Sequence, residues 1–277
     1  MQANRELAER LRALHQGPRA LVLCNVWDAA GACLIEQLGY PAVATTSAGI
    51  AVSLGYPDGQ RIPMRLMVEA VGRICAATRL PVTADFEAGY AEEPDTIAAN
   101  VMEVLRAGAA GINLEDTSGG KLRPLEAQAA ILRRVRQAAA AAGAALVVNA
   151  RTDACDGGIA VEGDRLAEAV RRGRAYREAG ADCIFVPFLR ELPAIAQICA
   201  ALPAPVNVLA GPGMASVAEL ERAGARRISV GSGPARAALS ALRRAAEELR
   251  AGGTYESLGG AISYADANRL VAQRPSS

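Results

Sequence analysis

Two acidic segments, each at the end of a predicted β-strand, are the part of this chain best suited to chemistry. Asp85 and Glu87 close the segment PVTADFE, and Glu115 and Asp116 close GINLED. Because side chains alternate between the two faces of a strand, Asp85 and Glu87 point to the same side. Carboxylate oxygens are the ligands that hard divalent cations prefer. The pattern predicts a Mg²⁺ site, which Mn²⁺ would also fit, with Asp85 as a direct ligand and Glu87 and Glu115 holding water molecules of the metal.

A single arginine complements these acids. Arg151 follows the next predicted strand, in NARTD. Its planar guanidinium suits bidentate capture of a substrate carboxylate. The alternative is a structural salt bridge to Glu115 or Asp153. Together the acids and the arginine predict a metal-dependent enzyme that acts on small carboxylic acids.

The scarcity of histidine and lysine excludes several other enzyme classes. His15 is the only histidine and lies in the predicted N-terminal helix, away from every strand end. Histidine-ligated metals, Ser-His-Asp triads and histidine general bases are therefore not expected. Lys121 is the only lysine and lies in the glycine-rich segment TSGGKL. A Schiff-base aldolase needs a desolvated lysine, which this position does not supply.

The composition favours a soluble cytoplasmic protein without nucleic-acid or membrane partners. The chain has 277 residues, of which 51% are apolar, and its formal net charge is +1. It shows no run of 18 apolar residues, no signal-like N-terminus and no basic stripe. Its six cysteines show no C-x-x-C spacing and are predicted to be free thiols. Cys155 is the one that we expect near the mouth of the site.

Eight repeats of strand and helix must position the site residues. The predicted strands are 21–26, 42–46, 82–87, 111–115, 146–150, 183–187, 206–210 and 227–230. The predicted helices are 29–38, 63–78, 95–107, 125–142, 165–179, 191–200, 216–223 and 234–250, with a further helix at each terminus, 3–15 and about 254–273. This alternation predicts an α/β fold, a (β/α)8 TIM barrel in a single domain, 1–277. An open doubly wound sheet is the alternative, but NVWDAAG lacks the G-x-G-x-x-G turn that such a sheet would carry.

In such a barrel the active site lies at the carboxyl ends of the strands. This rule adds Asn207 and the small residues Thr46, Ser47 and Ala48 to the candidates. Tyr90, in the segment EAGYAEEP beyond the third strand, is expected to lean over the site. The segment TTSAG, residues 45–49, offers backbone N–H groups that can cradle a carboxylate, or is an ordinary exit from a strand. The glycine loops 211–213 and 231–233 occupy the usual phosphate position of barrels, and without a nearby lysine we interpret them as tight turns.

Five segments in this order carry a family resemblance: NVWDA (25–29), TTSAGIAVSLGYPDG (45–59), PVTADFEAGY (81–90), GINLED (111–116) and NARTDA (149–154). Over residues 21–242 the chain closely resembles the phosphoenolpyruvate mutase/isocitrate lyase superfamily. The resemblance implies a Mg²⁺-dependent barrel that binds an α-keto or α-hydroxy acid and stabilises an enolate-like or metaphosphate-like species. It also implies a homo-oligomer, a tetramer in which a C-terminal helix is swapped between subunits. Its implied site comprises Asp85 on the metal, Glu87 and Glu115 on the metal's water, Ser47 and Ala48 backbone N–H groups and Arg151 on the substrate carboxylate, and Asp58 on a loop near the metal.

The chain departs from two branches of that superfamily after its fourth strand. The lyase branch carries a K-K-C-G-H signature there, whereas this chain reads DTSGGKL, without cysteine or histidine. The mutase branch has a longer gating loop, whereas only eight residues separate Asp116 from Leu125 here. These departures weigh against isocitrate lyase, methylisocitrate lyase and true mutase activity.

Decarboxylation of a β-keto acid needs no dedicated acid/base, because the metal draws charge from the developing enolate. The leading hypothesis is Mg²⁺-dependent carbon–carbon bond cleavage of a small α-keto or α-hydroxy acid, with oxaloacetate decarboxylation as its simplest form. Cleavage of a substituted malate or citrate-like acid, or P–C cleavage of phosphonopyruvate, is the alternative, and it requires an acid/base such as Tyr90, Glu115 or Cys155. A silent barrel that only binds a dicarboxylate is the non-enzymatic alternative.

Overall fold

The computed structural model describes residues 2–272, with side chains from Asn4 onward. Its strands are β1 (Leu21–Leu23), β2 (Asn25–Val26), β3 (Val43–Thr45), β4 (Val82–Asp85), β5 (Gly111–Glu115), β6 (Thr117–Ser118), β7 (Lys121–Leu122), β8 (Val147–Arg151), β9 (Cys183–Phe185), β10 (Val206–Leu209) and β11 (Arg227–Ser229). Its helices are α1 (Gln2–Leu14), α2 (Ala29–Gln37), α3 (Ser47–Ser53), α4 (Met64–Cys75), α5 (Pro94–Arg106), α6 (Leu125–Ala141), α7 (Arg165–Glu178), α8 (Leu192–Ala201), α9 (Val217–Arg222), α10 (Gly233–Gly252) and α11 (Tyr264–Ala272).

The predicted α/β barrel is confirmed. Nine strands form one parallel sheet in the order β1-β11-β10-β9-β8-β5-β4-β3-β2. The first predicted strand is divided into β1 and β2, which pair with β11 and β3 respectively, so the sheet nearly closes through this strand. The register places Asp85 beside Asn113, and Glu115 beside Arg151. The carboxyl ends of β4, β5 and β8 therefore bring the predicted site residues together.

Helix α1 covers the opposite, amino-terminal end of the barrel. Its Ala8 and Leu11 are fully buried against Leu21, Leu23 and Val147 of the barrel interior. The amphipathic pattern of the N-terminal segment thus has a structural use, because its apolar face closes the base of the barrel.

Three segments differ from the predicted elements. Residues 47–53 form α3, and β6 and β7 pair as an antiparallel hairpin where we predicted only a loop. The C-terminal helix predicted over about 254–273 is a 3₁₀ turn, Glu256–Leu258, followed by α11, and its last predicted residue lies outside the described range. Helix α11 packs against α2 of the same chain. Exchange of a helix between subunits stays a prediction.

None of the helices in the described range combines the length and the apolar character needed to span a bilayer.

Candidate active site

A cavity of about 230 Å³ opens at the carboxyl ends of the strands. Six predicted site residues line it: Thr46, Ser47, Ala48, Asp58, Asp85 and Arg151. Glu87, Glu115, Tyr90 and Asn207 do not line it. Glu115 contacts the lining residue Arg151, and Glu87 and Tyr90 contact each other. Asn207 is fully buried and lies deeper in the barrel.

Asp85 is held in a fixed orientation at the end of β4. Its Oδ2 accepts hydrogen bonds from the backbone N–H of Ser47 at 3.0 Å and from the Ser47 hydroxyl at 2.7 Å. Its Oδ1 accepts a longer one, 3.4 Å, from the Asn113 amide. The resemblance assigned the Ser47 N–H group to the substrate, but in the structure this group is bonded to Asp85. Ser47 therefore orients the predicted metal ligand.

The position of Ser47 follows from the start of α3. Thr46 is the N-cap of this helix, and its hydroxyl accepts a hydrogen bond from the Gly49 N–H group at 3.3 Å. The first N–H groups of a helix have no partner within the helix. Ala48 lies in this first turn and lines the cavity, so its predicted role toward a substrate carboxylate stays a prediction.

Glu87, Tyr90 and Gln60 form a strained cluster behind Asp85. All three have positive φ, between 49° and 59°, which residues other than glycine seldom adopt. The Glu87 carboxylate accepts hydrogen bonds from the Tyr90 hydroxyl at 2.8 Å and from the Gln60 N–H group at 2.6 Å. Burial, with repulsion from Asp85 and Asp58, raises the pKa of Glu87 to about 7 against these hydrogen bonds. Burial also raises the pKa of Tyr90.

Negative charge is incompletely compensated across the site. Burial and, less strongly, repulsion from Asp85 raise the pKa of Asp58. Burial raises the pKa of Glu115 well above its usual value, and repulsion from Asp153, Asp85 and Glu87 adds to it. Carboxylates that raise one another's pKa values are the arrangement that a bound cation relieves.

Arg151 is anchored by two carboxylates. It contacts Glu115 at 2.9 Å and Asp153 at 2.6 and 3.2 Å. Burial alone would lower the pKa of Arg151, but attraction to these carboxylates raises it above its usual value. The predicted structural bridge therefore exists. Because these contacts use three of the five guanidinium N–H donors, two remain for a substrate carboxylate.

Three strand-end candidates face elsewhere. Asp116 is fully buried and accepts hydrogen bonds from the Tyr176 hydroxyl at 2.7 Å and the Asp153 N–H group at 2.9 Å, on the helix side of the barrel wall. Asn207 is fully buried, accepts a hydrogen bond from Ser229 at 3.2 Å and does not line the cavity. The Cys155 thiol donates to a backbone carbonyl at 3.8 Å, and burial raises its pKa to about 11. A reactive thiolate is not expected there.

The glycine loop after β11 is a turn held by a side chain. The Oδ1 atom of Asn25 accepts hydrogen bonds at 3.0 Å from the N–H groups of Val230 and Gly231. These donors are thereby bonded within the protein, which supports the interpretation of this loop as a turn rather than as a phosphate site.

Several residues of the cavity were not predicted from the sequence. Phe185 and Phe188 place their rings 5.8 and 5.9 Å from the Arg151 guanidinium carbon, and both line the cavity. Asn113 also lines it, and its position two residues before Glu115 could have placed it on the inner face of β5. No comparable sequence signal marks Phe188, which lies in a loop.

The carboxylates do not form a preassembled metal cage. In the part of the chain that the structure describes, no three His, Cys, Asp or Glu side chains are arranged to ligate one ion directly. Asp85 with water and substrate oxygens is still a donor set that Mg²⁺ accepts, because Mg²⁺ commonly takes only one or two protein carboxylates.

Comparisons with known proteins match this architecture. The family model described as phosphoenolpyruvate phosphomutase matches residues 11–250. An uncharacterised protein of Mycobacterium tuberculosis is 35% identical over 258 residues, or 93% of this chain and 94% of that protein. Oxaloacetate decarboxylase of Rhodopseudomonas palustris (strain BisB5) is 31% identical over 264 residues, covering 91% and 88%. A solved structure of oxaloacetate acetylhydrolase with its product oxalate has a TM-score of 0.86 at 25% identity, covering 96% and 94%.

Proposed function

The chain belongs to the phosphoenolpyruvate mutase/isocitrate lyase superfamily, and from this membership we propose that it is a divalent-metal-dependent carbon–carbon lyase for a small 2-oxo acid. Decarboxylation of oxaloacetate is the simplest reaction of this kind. A relative over most of the chain is an oxaloacetate decarboxylase. Family membership alone supports a lyase or mutase, so the choice of reaction depends on the cavity.

The distribution of charge in the cavity carries the proposal. Arg151 is the one cationic side chain among the described residues that line it, and Glu115 and Asp153 already share its charge. Another part of the lining is apolar and is made by Phe185, Pro187, Phe188 and Leu209. A second substrate carboxylate would find no cation of its own there. An unpaired charge against apolar groups is costly, and its loss as neutral CO₂ relieves that cost.

The residues present divide the work of decarboxylation as follows. Asp85 would hold Mg²⁺ or Mn²⁺ directly. Glu87 and Glu115 already contact protein groups, so they would hold the metal through its water molecules. A divalent cation held there would supply Lewis-acid stabilisation of the negative charge that develops as CO₂ leaves. Arg151 binds the C1 carboxylate with its two remaining N–H donors.

A proton must then reach C3 of the enolate to give pyruvate. Asp58 lines the cavity and can relay that proton from water to C3. Tyr90 takes part indirectly, because its hydroxyl donates a hydrogen bond to Glu87 and so fixes the orientation of that carboxylate.

The test is pyruvate release from oxaloacetate, measured with Mg²⁺ and with EDTA and corrected for the decarboxylation that Mg²⁺ itself causes. We expect metal-dependent turnover well above this background. No turnover, with oxalate still bound in a calorimetric titration, would contradict the proposal. That result would favour a substrate with a different tail or a barrel that only binds a dicarboxylate.

In a second candidate reaction both products are acids, and no CO₂ is released. The similar oxaloacetate acetylhydrolase contains oxalate as its product, which favours carbon–carbon cleavage of a substituted malate or citrate-like acid as the alternative, with P–C cleavage of phosphonopyruvate as its relative. These reactions need an acid/base such as Tyr90, Glu115 or Cys155. Product analysis separates the candidates. Decarboxylation of oxaloacetate releases pyruvate and CO₂, and hydrolysis, which consumes water, would release oxalate and acetate instead. Release of two carboxylic acids from a substituted malate, with no turnover of oxaloacetate, would favour the alternative.

We also propose a cytoplasmic homo-oligomer, a dimer or tetramer. All six cysteines are free, as a reducing compartment requires. In α10 only Ala235 is buried, while Leu239, Leu242 and Leu249 are between 49% and 66% exposed. Leucines three and seven positions apart lie on one face of a helix, and an exposed apolar face is typical of a subunit interface. Light scattering during size-exclusion chromatography tests this, and a monomer would contradict it.

A further inference from the structure

Arg227 carries a charge into the closed interior of the barrel. It is the first residue of β11 and is 1% exposed. Its Nη2 atom lies 3.1 Å from Asn113 Oδ1 and 3.5 Å from the Thr83 hydroxyl. These residues belong to β5 and β4, which do not neighbour β11 in the sheet. The guanidinium therefore crosses the barrel interior toward the strands that carry the acidic residues.

No carboxylate pairs with this guanidinium. Other buried arginines have acidic partners, such as Asp116 for Arg172 and Glu92 for Arg123, whereas the ion pairs of the described residues include none with Arg227. Burial lowers the pKa of Arg227, and attraction to Cys183 and Asp85 opposes the shift. A buried charge without a direct partner costs stability. An arginine at this position therefore indicates a role other than packing.

The contact with Asn113 supplies such a role. The Asn113 Oδ1 atom accepts from Arg227 and also from the Asn149 amide, at 2.8 Å. With two donors on its oxygen, the Asn113 side chain must turn its NH₂ group the other way. That group donates to Asp85 Oδ1 at 3.4 Å. Arg227, Asn113 and Asp85 thus form a chain from the middle of the barrel to the cavity.

We infer that Arg227 is a positioning residue that fixes Asn113 and, through it, the orientation of the cation-binding carboxylate of Asp85. This inference rests on the proposed function, since it takes Asp85 as the ligand of a divalent cation. The residues that hold a metal ligand commonly change metal affinity by about 10- to 100-fold when they are removed. The same size of effect is expected here.

The test is Mn²⁺ binding to the metal-free full-length protein, followed by electron paramagnetic resonance. We expect Arg227→Met and Asn113→Leu each to weaken Mn²⁺ binding by about tenfold or more. The double variant should bind no more weakly than Asn113→Leu alone, because the two residues act in series. Thr83→Val is the matched control, because it removes the other contact of Arg227 and should leave the affinity unchanged.

Thermal unfolding separates positioning from packing. A purely structural Arg227 would lower the melting temperature of Arg227→Met and leave Mn²⁺ affinity unchanged, which would overturn the inference. Where the Met variant does not fold, Arg227→Lys keeps the charge but not the planar fork. It should show a smaller loss in the same direction, and unchanged affinity there would also overturn the inference.

Failure of the proposed function has a different signature. Wild-type protein that does not bind Mn²⁺, or an Asp85→Asn variant that binds it as well as wild type, would overturn the metal site and this inference together. Wild-type binding that Asp85→Asn abolishes and Arg227→Met leaves intact would overturn only the inference.

Discussion

The two ends of the barrel treat their carboxylates in opposite ways. At the amino-terminal end, Asp182 pairs with Arg12 at 2.9 Å and with Arg136, and accepts a hydrogen bond from the Val148 N–H group. Although burial opposes it, these partners lower the pKa of Asp182. At the carboxyl end, burial and mutual repulsion raise the pKa values of Asp58, Glu87 and Glu115.

Backbone strain follows the same division. Among the described residues, those other than glycine with positive φ are Gln60, Glu87, Tyr90 and Phe188. All four lie at the carboxyl end, in the cluster behind Asp85 or in the cavity lining. Such residues cost about 1–3 kcal/mol each and persist where the surrounding structure enforces them. One end of the barrel thus stabilises the fold, while the other carries strain and unbalanced charge that a ligand can use.

The strongest test of this contrast is Asp85→Asn. Loss of the cation should remove several kcal/mol of transition-state stabilisation, which corresponds to about 1,000-fold or more in turnover. Stability should not fall, because the variant removes one negative charge from a repulsive cluster. Steady-state kinetics with a metal titration and thermal unfolding measure both effects. Asp95→Asn is the control, since this side chain is 81% exposed on α5. Unaltered turnover in Asp85→Asn would show that the carboxyl end does not hold the metal there.

Asp182→Asn should have the converse effect. Removing the carboxylate leaves Arg12 and Arg136 without their shared partner and the Val148 N–H group without its charged acceptor. Because these side chains are only partly buried, the expected loss is about 2 kcal/mol. Urea denaturation measures this loss. Turnover of the remaining folded protein should match wild type, because Asp182 lies at the opposite end from the cavity. Reduced turnover at full folding would show that the two ends are coupled.

His15 makes the amino-terminal end sensitive to acid. It is 3% exposed, and its Nδ1 atom lies 2.8 Å from the Leu11 carbonyl oxygen. Burial, aided by the charge of Arg227, lowers the pKa of His15 from 6.5 to about 4. Because the unfolded chain binds this proton more readily, the contribution of His15 is complete above pH 6.5 and falls as the pH approaches 4.

At pH 5 the loss from His15 amounts to about 2 kcal/mol relative to pH 7. Between pH 7 and pH 5 the unfolding free energy of wild type should fall by about 2 kcal/mol more than that of His15→Gln. His15 is the only histidine of the chain, so no second imidazole obscures the comparison. Parallel pH profiles of the two proteins would contradict the predicted shift.

The elements could be predicted from the sequence where one pattern dominates. Apolar runs set the eight strand positions, and the rule that barrel sites lie at strand ends placed Asp85 and Arg151 together. Helix α3 was missed because it is one short segment of seven residues, started by the Thr46 cap rather than marked by an apolar period. The Arg227–Asn113 contact joins residues 114 positions apart. It depends on how far a side chain reaches across the closed barrel, which local spacing does not encode.

The smallest expected effect concerns Cys155 and limits which carboxyl-end groups take part in chemistry. Its thiol is half-buried, contacts the Arg165 carbonyl oxygen and has its pKa raised to about 11 by burial. It therefore stays protonated through the neutral range and is a poor base. Cys155→Ser should leave kcat/KM within about twofold of wild type, since an exchange of thiol for hydroxyl removes no hydrogen-bonding group. The measurement is the pH profile of kcat/KM for both proteins. Loss of one limb of that profile in the variant would assign the acid/base to Cys155 and favour lysis of a 2-hydroxy acid over decarboxylation.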